Sequence, residues 1–243
     1  MENLGKVVIF DTETTGAKQP YRIIEAAYLE LNCFYDIERE FCQRYNPEMK
    51  ITTGAMATHH ILDSEVANCP PWHEFQLPGD TEYVIGHKVD FDLEAIGLDP
   101  GVPIINENGK QVKRICTLAI ARKHLPDSDS HQQSALMYEF YGPGAREVLK
   151  DAHSALADVR NCRSVLLRLL DLMEGKGIAI RTIDDLWQES ERCRIPDIIT
   201  FGMHDGTQVV DLPYSYKQWL LKQDWLDPYM RIAVNNSMKK KNG

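Results

Sequence analysis

Apolar residues come in short runs near the start of the chain and at helical spacing further along. The segment KVVIF, Lys6 to Phe10, is a nearly continuous apolar run of strand length. RIIEAAYLEL and the EFCQRY stretch follow with partial alternation and no helix caps, so the pattern predicts three consecutive strands of one sheet. After the break at Asn46-Pro47, TGAMATHHI and the residues beyond Asp63 read as short helical pieces that stop at Pro70-Pro71. EYVIGH, Glu82 to His87, is a further short strand. In VDFDLEAIG, Phe91 and Ala95 stand four apart and Gly97 supplies a stop, which predicts a short helix.

Residues 99–113 carry turn-forming types at high density and predict a loop, followed by a short strand at Arg114 to Cys116. Helices are expected from Thr117 and from His131. The longest, from Ser154 to Glu174, places Leu156, Val159, Cys162, Val165, Leu166 and Leu169 on one stripe that must face a sheet. Strands first, then helices with one strand between them, give an α/β or mixed α+β domain over residues 1–175. Residues 176–195 read as a linker with one amphipathic helix in TIDDLWQESERC. Residues 196–243 form a small C-terminal module, with a hairpin around Asp205-Gly206, a helix in YKQWLLKQ, and a frayed tail, KKKNG.

The 243 residues suffice for a sizeable core, and 43% hydrophobic with 26% charged residues is an ordinary globular composition. No apolar run reaches the roughly 20 residues that span a bilayer, and the N-terminus shows no secretory pattern, so a cytoplasmic protein without membrane contact is expected. Six cysteines form no CxxC or Cys/His cluster, which excludes a signalled zinc site or disulfide framework. The net charge of −9 opposes broad electrostatic capture of nucleic acid. Acids that converge on divalent cations would reverse that sign locally.

Asp11 and Glu13 stand two apart at the end of the first strand, and a strand sends such residues to one face. Polar residues commonly end strands, but Thr14, Thr15 and Gly16 complete FDTETTG, a small-residue turn that leaves the two carboxylates open. Thr12 and Thr14 are candidates for substrate contact. Asp92 falls in the first turn of the helix after EYVIGH, where an acid could equally be a solvated partner of the helix dipole. Asp90 beside it is expected to be exposed. His153 and Asp158 are five apart, about 140° around a helix, so they share a cleft only if His153 lies in the loop before the helix and Asp158 in its second turn. Oxygen-rich sites suit Mg2+ or Mn2+, and four carboxylates suit two such ions. Two ions about 3.5–4 Å apart activate a water on one side of a phosphodiester and stabilise the leaving oxygen on the other. An imidazole, with an unperturbed pKa of about 6.5, can accept the proton of the attacking water.

FDTETTG, GHKVDFD and HSALAD together resemble, in order and spacing, the three motifs of the DEDDh 3′→5′ exonuclease superfamily. The resemblance covers roughly residues 6–173. It implies a ribonuclease H-like fold with a central mixed sheet flanked by helices, Asp11, Glu13, Asp92 and Asp158 as metal ligands, and His153 as general base. ITTGAMATHHI and the C-terminal ITFGMHDGTQVVDLPYSYKQWLL are similar to the exodeoxyribonuclease X branch, which implies DNA with a free 3′ end, single-stranded or frayed, as substrate. Met56 and His59 resemble the segment lining the terminal-nucleotide pocket, and Phe91 could offer a stacking face to a base; ordinary helix packing is the alternative for all three. The chain departs from the superfamily at Lys88, where Asn is common, and from the branch at Met203 and Asp205, where basic residues follow TFG. Lys88 either meets phosphate or is simply exposed. The expectation is a metal-dependent exonuclease releasing nucleoside 5′-monophosphates. An RNA-trimming member of the superfamily and a non-catalytic nucleic-acid adaptor are the rivals.

Overall fold

The computed structural model describes residues 6–33, 36–99 and 102–239. The chain divides into two compact units, Met1–Gln188 and Glu189–Gly243. The first carries five strands, β1 (Lys6–Thr14), β2 (Ile23–Cys33), β3 (Asp36–Arg44), β4 (Thr81–Gly86) and β5 (Lys113–Cys116). Its helices are α1 (Thr53–His59), α2 (Asp63–Val66), α3 (Val89–Ala95), α4 (Thr117–His124), α5 (Gln133–Tyr141), α6 (Ala145–Val148) and α7 (Ala155–Gly175). Helix α8 (Ile183–Arg194) follows, then α9 (Tyr214–Leu220) and α10 (Pro228–Lys239). No helix of the described residues is long and apolar enough to cross a membrane.

The sheet order is β3-β2-β1-β4-β5, antiparallel through the first three strands and parallel through β1, β4 and β5. This is the mixed sheet that three meandering strands followed by helical crossovers must build, because parallel neighbours need a long connection. Val7 to Phe10 are almost fully excluded from solvent, as befits a central strand covered on both faces. The stripe of α7, Val159, Cys162, Val165, Leu166 and Leu169, is buried, and the helix packs against β1 and β2.

Two features differ from the pattern of the sequence and both matter to the site. Strand β1 runs through Thr14 rather than stopping at Phe10, because β2 keeps pairing with it as far as Thr14↔Ile23. Strand β4 pairs with it only as far as Ile9↔Ile85, so the far half of β1 has one free edge. Gly86 ends β4 where a β-carbon would lie 3.1 Å from the Phe10 carbonyl oxygen and from Val89, so any other residue would have to push backbone aside in the tight turn into α3. Helix α3 closes with Gly97 at φ +83° and backbone bonds from Gly97 to Glu94 (3.0 Å) and from Leu98 to Leu93 (3.0 Å), the stop that glycine signals.

In the second unit the expected hairpin around Asp205-Gly206 is reduced to one antiparallel bridge, Ile198↔Gln208, flanked by short 3₁₀ turns. Helix α10 has no counterpart in the sequence reading. It starts where Asp227 accepts the N–H groups of Tyr229 (2.9 Å) and Met230 (3.0 Å). Val209, Leu212, Leu220, Leu226, Met230 and Val234 bury this unit's own small core. Of the tail expected to fray, Lys239 ends α10 and residues 240–243 lie outside the described residues.

Candidate active site

The free edge of β1 is where the acids meet. Asp11 and Glu13 project from one face of the strand, and Asp92 arrives from the first turn of α3 to occupy the edge that β4 leaves open. Its Oδ1 accepts both the backbone N–H of Thr12 (3.0 Å) and the Thr12 hydroxyl (2.8 Å). A strand N–H without a neighbouring strand needs some acceptor, and here a carboxylate serves. Asp158 enters from the first turn of α7, one turn earlier than expected.

His153 lies in the loop before α7, with its backbone at φ +68°. Its N–H donates to Asp158 Oδ2 (3.1 Å), so the same carboxylate that faces the cavity also folds the loop. Gln133 Nε2 donates to the backbone oxygen (3.1 Å) and to Oδ1 (3.3 Å) of Asp158. One open cavity is lined by Asp11, Thr12, Glu13, Lys88, Phe91, Asp92, His153 and Asp158. One oxygen from each of Asp11, Glu13 and Asp158 lies within 4.8 Å of the others.

Converging acids repel one another, and burial sharpens the repulsion. Burial first, then Asp92, Asp158 and Glu13, pushes the Asp11 carboxyl well above the usual carboxylate range. Burial, with Asp158, Glu25 and Asp92, pushes Glu13 up to about 8. Asp92 rises to about 7 because burial outweighs the Thr12 bonds that draw it down. Burial also raises Asp158, against the opposing pull of His153, Asn161 and Gln133. Such a donor set, all oxygen and short of counter-charge, fits hard divalent cations. The Thr12, His153 and Gln133 bonds are the outer contacts that hold such ligands in place.

The remaining sequence candidates are more dispersed. Thr14 is buried and its hydroxyl donates to the Gly16 carbonyl (3.0 Å), so it shapes the turn after β1. Met56 is half-buried against Ile24, Ile51, Ile61 and Val66. His59 is buried; its Nδ1 accepts the Ile61 N–H (3.0 Å), and its Nε2 lies near the Thr14 backbone without a hydrogen bond. Burial lowers its imidazole below the ordinary value. Phe91 is half-buried and stacks on Tyr21, ring centres 4.8 Å apart. Asp90, expected to be exposed, is partly covered and pairs with Arg114 (3.3 Å).

Three residues to which the sequence reading gave no role, His87 of GHKVDFD among them, support the site. Glu25, opposite Glu13 on β2, is buried, accepts the Ala155 N–H at the start of α7 (2.9 Å) and pairs with Arg44 (3.2 Å). Its signal was an acid within the apolar run IIEAAYL of that strand. His87 bridges Thr117 Oγ1 (2.9 Å) and the His131 carbonyl (2.8 Å), and burial pushes its imidazole down to about 4. It therefore stays neutral, donating through Nε2 to the carbonyl and accepting through Nδ1. Gln133 gave no sequence signal.

Comparison with known proteins bears on the family and the fold. The exonuclease (RNase_T) family profile matches residues 8–166. DNA polymerase III subunit epsilon of Buchnera aphidicola subsp. Schizaphis graminum is 25% identical over 171 residues, 64% of this chain and 69% of that protein. Among solved structures, exonuclease X in complex with 5′ overhanging duplex DNA superposes with a TM-score of 0.55 at 24% identity, over 76% of this chain and 99% of that one. A 3′-exonuclease solved in recognition of a histone mRNA stem-loop superposes at 0.50 and 15% identity, over 75% and 87%. These likenesses give the ribonuclease H-like exonuclease fold. The chain belongs to the exonuclease (RNase_T) family.

Proposed function

We propose that the protein is an exodeoxyribonuclease that removes nucleoside 5′-monophosphates from the free 3′ end of single-stranded or frayed DNA. The observation that carries this reading is the convergence of Asp11, Glu13, Asp92 and Asp158, from three separate segments, beside the exposed His153. The four carboxylates would hold two divalent cations, Mg2+ or Mn2+, which supply positive charge for the phosphate and polarise the attacking water.

The protein's own part is positional. Thr12 keeps Asp92 turned toward the cavity, and Gln133 with the His153 N–H keeps Asp158 there. The turn at His153 leaves its imidazole exposed at the cavity, where it takes the proton released as water attacks the terminal phosphodiester. Rigid placement of this kind lowers the barrier by fixing geometry in advance.

The similarity to exonuclease X, solved with DNA, and to a DNA polymerase III subunit favours DNA. The likeness to the 3′-exonuclease solved with an mRNA stem-loop supports an RNA-trimming reading of the same centre. Digestion of a DNA and an RNA oligonucleotide of one sequence, side by side, separates them. Faster loss of the DNA supports the proposal, and faster loss of the RNA replaces it with the second reading.

A further inference from the structure

Among the residues that line the cavity, Lys88 alone carries an ammonium group. Its backbone sits at φ 83°, ψ 41°, the left-handed region, which costs a residue with a β-carbon about 1–2 kcal/mol. A glycine or asparagine would accept that conformation more readily.

Although four carboxylates share the cavity, the Lys88 ammonium makes no ion pair with any of them. It rests 5.1 Å from the centre of the Phe91 ring. An exposed contact of this kind holds the ammonium by only about 0.5–1 kcal/mol. The group is therefore loosely held, close enough to Asp92 to draw its carboxyl down, and next to the acids that would carry cations. Lysine suits such a task, since its ammonium is a compact point charge on a flexible stem. In a chain of net charge −9 it is a focused source of attraction for an anion at this site.

We infer that Lys88 binds the substrate's phosphate: its ammonium leaves the Phe91 ring and takes a nonbridging oxygen of the 3′-terminal phosphodiester. The inference rests on the nuclease reading above and assigns a contact within it. Lys88 holds and orients the phosphate and takes no proton. Its contribution falls on substrate binding rather than on the chemical step.

The test uses the full-length protein with Lys88→Met, Lys88→Asn and Lys88→Arg. Lys88→Met keeps the stem without the charge, Lys88→Asn suits the left-handed backbone, and Lys88→Arg restores the charge. Binding of a fluorescent oligothymidylate is measured with Ca2+ replacing Mg2+, and turnover is measured with Mg2+. Loss of one phosphate contact is expected to weaken binding about 10-fold in Lys88→Met and Lys88→Asn, raise KM in step, and flatten the salt dependence by about 0.7 in log–log slope. Lys88→Arg is expected to recover most of the loss. A neutral methylphosphonate at the terminal linkage should erase the difference between wild type and Lys88→Met, whereas the same group two linkages upstream should leave it. Equal binding and salt slope in wild type and both uncharged variants would overturn the inference, as would a difference that survives the terminal methylphosphonate. A wild-type protein that binds the oligothymidylate but cleaves neither it nor an RNA oligonucleotide would instead overturn the nuclease reading, and the Ca2+ binding comparison would still decide Lys88.

Discussion

Thr12 and Asp92, 80 residues apart in sequence, are joined by two hydrogen bonds to one carboxylate oxygen, from the Thr12 N–H (3.0 Å) and its hydroxyl (2.8 Å). The bonds fill the edge of β1 that β4 abandons and fix one acid of the centre to the strand that carries two others. Thr12→Val keeps the shape and the N–H bond but removes the hydroxyl. Loss of a bond to a carboxylate predicts a destabilisation of about 1–2 kcal/mol without metal, seen in denaturant unfolding. Loss of an outer contact to a metal ligand predicts about 10-fold weaker Mg2+ affinity, read by titration. Unchanged metal affinity would show that the hydroxyl does not position Asp92.

Glu25 is a second support. Glu25→Ala removes the acceptor of the Ala155 N–H and one partner of Arg44, and is predicted to destabilise the protein by about 1.5–3 kcal/mol. Because α7 begins at that bond and carries Asp158 in its first turn, turnover should fall as well. Glu25→Gln, which keeps an acceptor oxygen, should recover most of the stability in thermal unfolding. Equal losses in the two variants would contradict the bond to Ala155 as the cause.

His153→Ala is predicted to lower the single-turnover rate by about 10²–10⁴-fold, the usual contribution of a positioned base. Its backbone N–H to Asp158 remains, so the metal-induced rise in Tm should persist. A rate close to wild type would remove His153 from the proton-transfer step.

The raised acids set the pH dependence of the metal-free protein. Glu13 holds its proton up to about 8 in the folded chain, and Asp92 to about 7. The unfolded chain loses those protons near 4, so the folded state binds more protons at these two acids in between, and their contribution to stability falls as pH rises from about 4 to about 8, opposed below about 6.5 by the neutral His87. Divalent cations replace those protons, so the gain in Tm on adding Mg2+ should be larger at about pH 8 than at about pH 5.5. A gain that is independent of pH would contradict the coupling of these acids to the cation.

The acids were legible because a strand of period two and a short motif place them by local rules. Asp11 and Glu13 need only β1 to share a face, and the five-residue spacing of His153 and Asp158 already demands a loop before the helix. What stayed hidden depends on partners far along the chain. That β1 continues through its polar end follows from pairing with Ile23, and that Asp92 is buried follows from Thr12. Asp90 found Arg114, 24 residues away, for the same reason. Helix α10 is a different case: Asp227 followed by Pro228 is a helix-start signal written in the sequence, but the apolar stripe after it is short, Met230, Ala233 and Val234, and runs into the polar tail.

Single-stranded DNA labelled at its 5′ end, followed with Mg2+ or with EDTA beside the Asp11→Asn variant, decides whether the cavity acids carry metal-dependent cleavage from the 3′ end. A ladder shortening from the 3′ end with release of nucleoside 5′-monophosphates is expected, abolished by EDTA and reduced by about 10³-fold in Asp11→Asn, whose fold is retained because an amide of the same size replaces the carboxyl. Cleavage that persists in EDTA, or at the wild-type rate in Asp11→Asn, would contradict that role of the acids.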